Sequence, residues 1–255
     1  MKHIQRFCSQ RLRLARPHLA GLSLALVGAF GLLSAGVAAA PVASAASRCT
    51  TVDCVQQFGD QRIQERLAAL DKLKDRARNH KGLTDQQRNV ITDDATFNEN
   101  GLNALKKKLD GETDLRAALA DVKNIYVQFR IFAVVLPRDY GEILLFHEQN
   151  AIARMTDANQ QISDLIQKDK DAGHDVTKLQ ALQRDYNAKL RDATNKTNAA
   201  QGLIPSLIPA NYPGTNTTLR TYRSDLKTAR QDIKGAASDL HQMIQILKAD
   251  LGGQG

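Results

Sequence analysis

The sequence predicts an all-α protein, an elongated antiparallel helical bundle or coiled-coil hairpin of about six helices, and three observations predict it. Aromatic residues fill only 5 % of the 255 positions and Trp is absent, while Leu, Ala, Asp, Lys, Gln and Arg dominate, a balance that favours helix over sheet. Apolar residues recur at steps of three and four through most of the chain beyond residue 55. The last segment, Leu219 to Leu247, carries that alternation without a break. At 42 % apolar and 24 % charged, the composition is that of a folded chain with a core.

Residues 1–45 read as a secretory signal peptide of bacterial type. Lys2, Arg6, Arg11, Arg13 and Arg16 precede an uncharged apolar run from Leu19 to Ala40, and no Asp or Glu occurs before residue 50. Leu22 to Leu33 forms its most apolar part, and Ala43-Ser44-Ala45 supplies the small residues a signal peptidase accepts, so cleavage is expected after Ala45. Leu19 to Ala40 is also long enough to span a bilayer of roughly 30 Å as an uncleaved anchor. Its decay into Ala and Gly favours cleavage. Arg48 before Cys49 argues against a lipid anchor. The expected destination is the cell envelope or the extracellular space.

Five basic residues leave with this segment, and the whole-chain charge of +8 falls to +3, 30 basic residues against 27 acidic. Without aromatic residues interleaved among Lys and Arg, no nucleic-acid partner is expected. Cys8 leaves too. Cys49 and Cys54 remain, and an oxidising compartment pairs them by default. Closing so small a ring is worth about 2 kcal/mol in chain entropy, enough to pin the leading segment but not to hold the fold.

The helical domain, 46–255, opens with N-terminal helices over 46–130. Ile63, Leu67, Leu70 and Leu73 give the first, from Val55 to His80, its apolar face, and Gly82 stops it. Thr84 and Gln87 form a capping box for the second, whose stripe is read as Val90, Phe97, Leu102, Leu105 and Leu109, with Gly111 at its end. The third starts at Thr113 and carries Leu115, Leu119, Val122, Tyr126 and Phe129. Periodicity then fails in an apolar break, 131–146, where Ile131 to Leu136 run unbroken up to Pro137. Helix resumes at about Asp139 with Ile152, Met155, Ile162 and Ile166.

A hairpin over 147–201 turns at Gly173-His174-Asp175 into a fifth helix on Leu179, Leu182, Tyr186, Ala193, Thr197 and Ala200. Asp164 with Lys168, Asp185 with Lys189 and Asp192 with Lys196 are spaced for ion pairs along the helices, each worth a few tenths of a kcal/mol. Pro205, Pro209 and Pro213 bar a helix from the linker 202–215. The long C-terminal helix, 216–251, carries a heptad seam of Leu219, Tyr222, Leu226, Ala229, Ile233, Ala236, Leu240, Met243 and Leu247. Leaving that seam in water would forgo on the order of 10 kcal/mol, so it is expected to pack along the fourth and fifth helices.

Phe129-Arg130-Ile131-Phe132 to Leu136-Pro137, Gly173 with Asp175-Val176, Asp185 to Asp192-Ala193, Tyr212-Pro213, and Leu226-Lys227-Thr228-Ala229-Arg230 together resemble a recurring type of exported, signal-peptide-bearing, all-helical bacterial protein. The resemblance spans roughly residues 110–250. It implies fold and export, and it supplies no site residues.

No spacing points to catalytic, cofactor-binding or metal-ligating residues. His147-Glu148 opens like a zinc-protease motif, but Ala151 stands where the second His would be. Asp169 to Asp175 begins like a calcium loop but has Gln180 in place of the closing Glu, and a charged turn between helices is the plainer reading. Phosphate-binding glycine loops and nucleophile elbows are missing. The expectation is a non-enzymatic scaffold or protein-binding protein with an unidentified protein partner, self-association being an alternative. A membrane-contacting protein using 131–146 is the second reading, and an unrecognised ligand-binding protein or enzyme the third. The candidate interaction segment is Ile131, Phe132, Val134, Val135 and Leu136, either the buried end of the bundle or an exposed apolar tip.

N-terminal sequencing of the envelope-associated or secreted protein should begin near Ala46, and non-reducing mass spectrometry should find Cys49 joined to Cys54. An intact Met1, or two free thiols, would refute these expectations.

Overall fold

Six α-helices follow one another in the computed structural model, which describes residues 49–252: α1 (Val52–Arg78), α2 (Asp85–Asp110), α3 (Leu115–Asn124), α4 (Leu136–Asp171), α5 (Thr177–Leu203) and α6 (Thr215–Gly252). No strand occurs among the described residues, and none of their helices is long and apolar enough to cross a membrane. The expected signal segment, 1–45, lies outside them. All helices but α3 are long, and they pack on one another, so the all-α bundle predicted from periodicity is the fold.

The helix starts are built by short-range chemistry. The Thr51 hydroxyl accepts from the Cys54 N–H and opens α1. Thr84 and Gln87 form the reciprocal capping box of α2. The Asp114 carboxylate, one residue beyond the expected Thr113, caps α3 through the Ala117 N–H. Between α4 and α5, Gly173 adopts φ +88, a left-handed conformation open to glycine at no steric cost, and Asp169 receives His174 Nδ1 at 2.6 Å. The charged-turn reading of this stretch therefore describes what it does.

α1 and α2 form an antiparallel pair around Ile63, Leu70, Leu73, Ile91, Ala95, Leu102 and Leu105. The second-helix stripe read from the sequence needs correction. Phe97 is 76 % exposed and Val90 48 %, whereas the inward face runs Ile91, Ala95, Asn98, Leu102, Leu105 and Leu109 at steps of four and three. Ala95 and Asn98 carry too little apolar signal to outweigh a phenylalanine two positions away. Inward they fit because α1 lies close, and Asn98 satisfies itself by donating to the Asp94 carbonyl at 2.9 Å.

The C-terminal half matches its prediction closely. All nine seam residues of α6 are buried, and α6 lies along both α4 and α5. Of the intrahelical ion pairs, Asp185–Lys189 forms at 3.7 Å, but the shorter contacts run across to α6, from Lys189 to Asp239 at 2.6 Å and, in place of the expected Asp192, from Lys196 to Asp225 at 2.9 Å. Asp164 instead accepts from Gln160. The α6 carboxylates lie in the drier seam, where a charge pair is less screened than on the outer face.

Pro137 is also reassigned. It was read as the end of an apolar run with helix resuming near Asp139; it sits in the first turn of α4, where its missing N–H costs nothing. The preceding apolar residues form two short π-helical turns, Ile125–Phe129 and Ile131–Val135, hinged at Arg130. Two 3₁₀ turns, Ile204–Ser206 and Pro209–Asn211, occupy the proline-rich linker.

Ile233→Asp places a charge in the buried seam and should lower the urea unfolding free energy by several kcal/mol, and with it the midpoint, while the neighbouring exposed Lys234→Asp should leave both nearly unchanged. Equal midpoints for the two variants would overturn this packing.

Candidate functional site

The residues singled out from the sequence fall in two places. Cys49 and Cys54 are joined by a disulfide, with Cα atoms 5.4 Å apart, at the start of α1. Ile131, Val135 and Leu136 are buried in the main core, Val134 is buried as well, and of the five only Phe132, 44 % exposed, meets solvent. The exposed-tip reading of this segment is therefore corrected: four of its five residues are interior. Arg130 is the cause. It holds the left-handed conformation φ 43, ψ 42, and its carbonyl accepts the N–H groups of Ala133, Val134 and Val135 at 3.1, 2.9 and 3.5 Å, turning the chain back into the core. A non-glycine residue there costs roughly 1–2 kcal/mol. Its guanidinium lies 4.0 Å from the Tyr212 ring centroid, a cation–π contact of about the same size. Phe132 in turn rests on Arg66, whose guanidinium is shared with Tyr126.

The chemically unusual region lies beyond this hinge, in the first turns of α4. Arg138, Asp139, Glu142 and Glu148 are all buried. Gly141, Leu145 and Glu148, at steps of four and three, share one face of the helix, with Glu142 beside it and Asp139 on the far side. Arg138 organises its upper end: Nε donates to Asp139 at 2.6 Å, Nη2 to Asp94 of α2, and Nη1 to the Leu207 carbonyl at 3.4 Å. One guanidinium thus joins α2, α4 and the linker.

Tyr222 of α6 lies against this face. Its ring passes so near Gly141 that an added Cβ would stand 2.2 Å from Cε1, so only glycine admits this approach. Asp139, Glu142 and Glu148 are its acidic neighbours. Among the described residues, Tyr222 Oη, Asp139 Oδ2 and both Glu148 oxygens have no hydrogen-bond partner. Burial lifts the Glu148 carboxyl to about 8 against the opposing pull of Arg230. Burial likewise lifts Glu142 to about 7, opposed by Arg138 and assisted by Asp94. Asp139 is driven well above the carboxylate range by burial in spite of Arg138, and burial raises the Tyr222 phenol too.

Next to this face His80, from the α1–α2 turn, and His147 meet edge to face with ring centroids 5.2 Å apart. The Gly82 N–H donates to His80 Nδ1 at 3.2 Å. Burial lowers both imidazoles, followed by Arg76 and Arg88 for His80 and by His80, Arg154 and Arg230 for His147. Among the described residues no three His, Cys, Asp or Glu side chains are grouped to hold a metal. What the arrangement can do chemically is hold protons: burial favours the neutral form of Glu148 and Glu142 and of the two imidazoles beside them.

Of these residues the sequence singles out for chemistry only His147-Glu148, as the opening of a zinc-protease motif that Ala151 breaks off. Arg138, Asp139 and Glu142 carry no signal there, because charged residues on a helix are ordinarily solvated. Contact between His80 and His147, from separate elements, leaves no sequence signal. No protein-family model matches the chain, and no curated protein or solved structure is significantly similar to it.

Arg138→Met should cost about 3 kcal/mol in urea unfolding, because Asp139 and Asp94 lose their common donor in a buried setting. Adding Asp139→Asn should recover part of that loss. A double variant less stable than the single one would contradict the pairing.

Proposed function

We propose that this protein is exported through a cleaved signal peptide and acts, without catalysis, as a helical scaffold of the cell envelope or extracellular space that binds another protein. The observation that carries the reading is the outer face of α2. Phe97 and Val90, exposed side chains two turns apart on one side of the helix, lie opposite a face that already fills the core. A large apolar side chain so exposed on a helix is a natural anchor for a partner. Ile208, also exposed, is brought toward the same region, since Leu207 shares the Arg138 guanidinium with Asp94, three residues from Phe97.

Export is supported by the basic, apolar and small-residue order of the first 45 residues, and the Cys49–Cys54 bridge suits an oxidising compartment. The heptad spacing of α6 supports a coiled-coil-like stiffness along the hairpin. The membrane-contact reading loses its surface, because the apolar residues it would use are mostly interior.

A photo-crosslinking residue at position 97 should give a discrete adduct in envelope extract, whereas the same residue at position 234 should give none. Val90→Ser with Phe97→Ser should abolish capture while shifting stability by no more than about 0.5 kcal/mol per site. Capture that survives the double change would overturn the assignment of this face, and an adduct of twice the chain's mass would identify the partner as a second copy.

A further inference from the structure

Glu148 is 2 % exposed, and neither carboxylate oxygen meets a donor among the described residues. An ionised carboxylate there would lack both water and hydrogen bonds, so the group keeps its proton while the contact is closed. Two turns nearer the start of α4, Tyr222 of α6 passes against Gly141 and is fully buried, its hydroxyl likewise without a partner among the described residues. α4 and α6 therefore meet through a stretch whose polar groups tolerate each other only as neutral species.

The charged and titratable groups around Glu148 come from several elements. α4 itself contributes Arg138, Asp139, Glu142 and His147; α6 contributes Arg230 and Tyr222; α2 contributes Asp94; the α1–α2 turn contributes His80. α5 meets this stretch where Gln201 bonds Gln149, and residues 197–204 contain no ionisable side chain. Arg138 is committed to Asp139 and Asp94, which leaves Arg230 as the cation acting on Glu148. Arg230 opposes the effect of burial without cancelling it.

We propose that the α4–α6 contact at Glu148 and Tyr222 is a proton-locked joint, closed while Glu148 is protonated and opening locally as the pH rises from mildly acidic to mildly alkaline. The sign follows from linkage. Once exposed, Glu148 returns to an ordinary carboxyl near 4.5, while in the closed joint it stands at about 8, so between those values the closed form holds a proton that the open form has lost. Each pH unit in that window raises the opening constant about tenfold, and above it the constant levels off. Glu142 adds a second such dependence, ending near pH 7. The ion pairs Lys196–Asp225 and Lys189–Asp239 hold α6 on α5, so opening loosens α6 from α4 without releasing it from the hairpin.

Amide hydrogen exchange of the full mature chain, corrected for intrinsic rates and followed from pH 5.5 to 8.5, tests the joint. In the wild type the opening constants of amides at 145–152 and 222–233 should climb steeply, while those at 63–73 in α1 should not follow. Glu148→Gln should reduce the climb by about tenfold per pH unit up to about pH 8, and Glu142→Gln should do so only below about pH 7. Infrared difference spectra should show a protonated-carboxyl band at pH 6 that is lost above pH 8, and Glu148→Gln should remove its component that titrates near 8 while leaving the one that titrates near 7 with Glu142. Equal pH slopes in wild type and Glu148→Gln, or no such band in the wild type at pH 6, would overturn the proposal. It does not rest on the binding role of α2: loss of Phe97-dependent capture leaves the proton dependence intact, and the converse also holds.

Discussion

The fold depends on one helix serving two sides. The first turns of α4 pack against α1 and α2 on one side and against α6 on another, so almost their whole circumference is interior. A helix buried all round is ordinarily apolar all round. Here the chain instead supplies Arg138, Asp139, Glu142 and Glu148, and the surroundings are arranged to accommodate them. Arg138 draws in Asp94 and the Leu207 carbonyl, Gly141 makes room for Tyr222, and burial without a donor favours the protonated form of Glu148.

Energetically, such a centre is a poor source of stability. Desolvating a carboxylate and a guanidinium costs about as much as their attraction returns, and apolar replacements of equal volume are often as stable or more so. What the Arg138 group gives is registration. Two of its three acceptors belong to other segments, and a slide of α4 by one turn would separate it from both Asp94 and the Leu207 carbonyl. The apolar surfaces on either side are less particular, since aliphatic contacts tolerate small shifts. Burial thus supplies the driving force, and the polar cluster selects one arrangement.

Much of this architecture was legible in the residues. The α6 seam could be read position by position, because nine apolar side chains in strict three-four alternation allow only one helical face. Caps were legible for a similar reason: Thr84 and Gln87 act over three residues, and nothing distant can alter that pairing. The misreadings share the opposite property. Phe97 was placed inside on its own hydrophobicity, whereas the face of α2 is set by where α1 lies, and Ala95 and Asn98 fit that narrow gap. Pro137 looked like a stop because its neighbours formed an aperiodic run, yet the run bends through Arg130 and delivers it to a helix start. The buried acids were missed for the deepest reason. A Glu on a helix is normally solvated, and only the tertiary position of α6 makes Glu148 an exception.

The lysine contacts between α5 and α6 carry a mechanical consequence. The Lys189 stem crosses Gly235, with Cδ 3.1 Å from where a Cβ would stand, before its ammonium reaches Asp239, and Lys196 repeats the crossing to Asp225 further along. A tensile load along the axis of α6 would meet both ion pairs and every seam residue in shear, so that all must yield together. A load across the hairpin would peel them one after another. The α5–α6 pair is thereby stiffer along its axis than across it, the anisotropy of a strut.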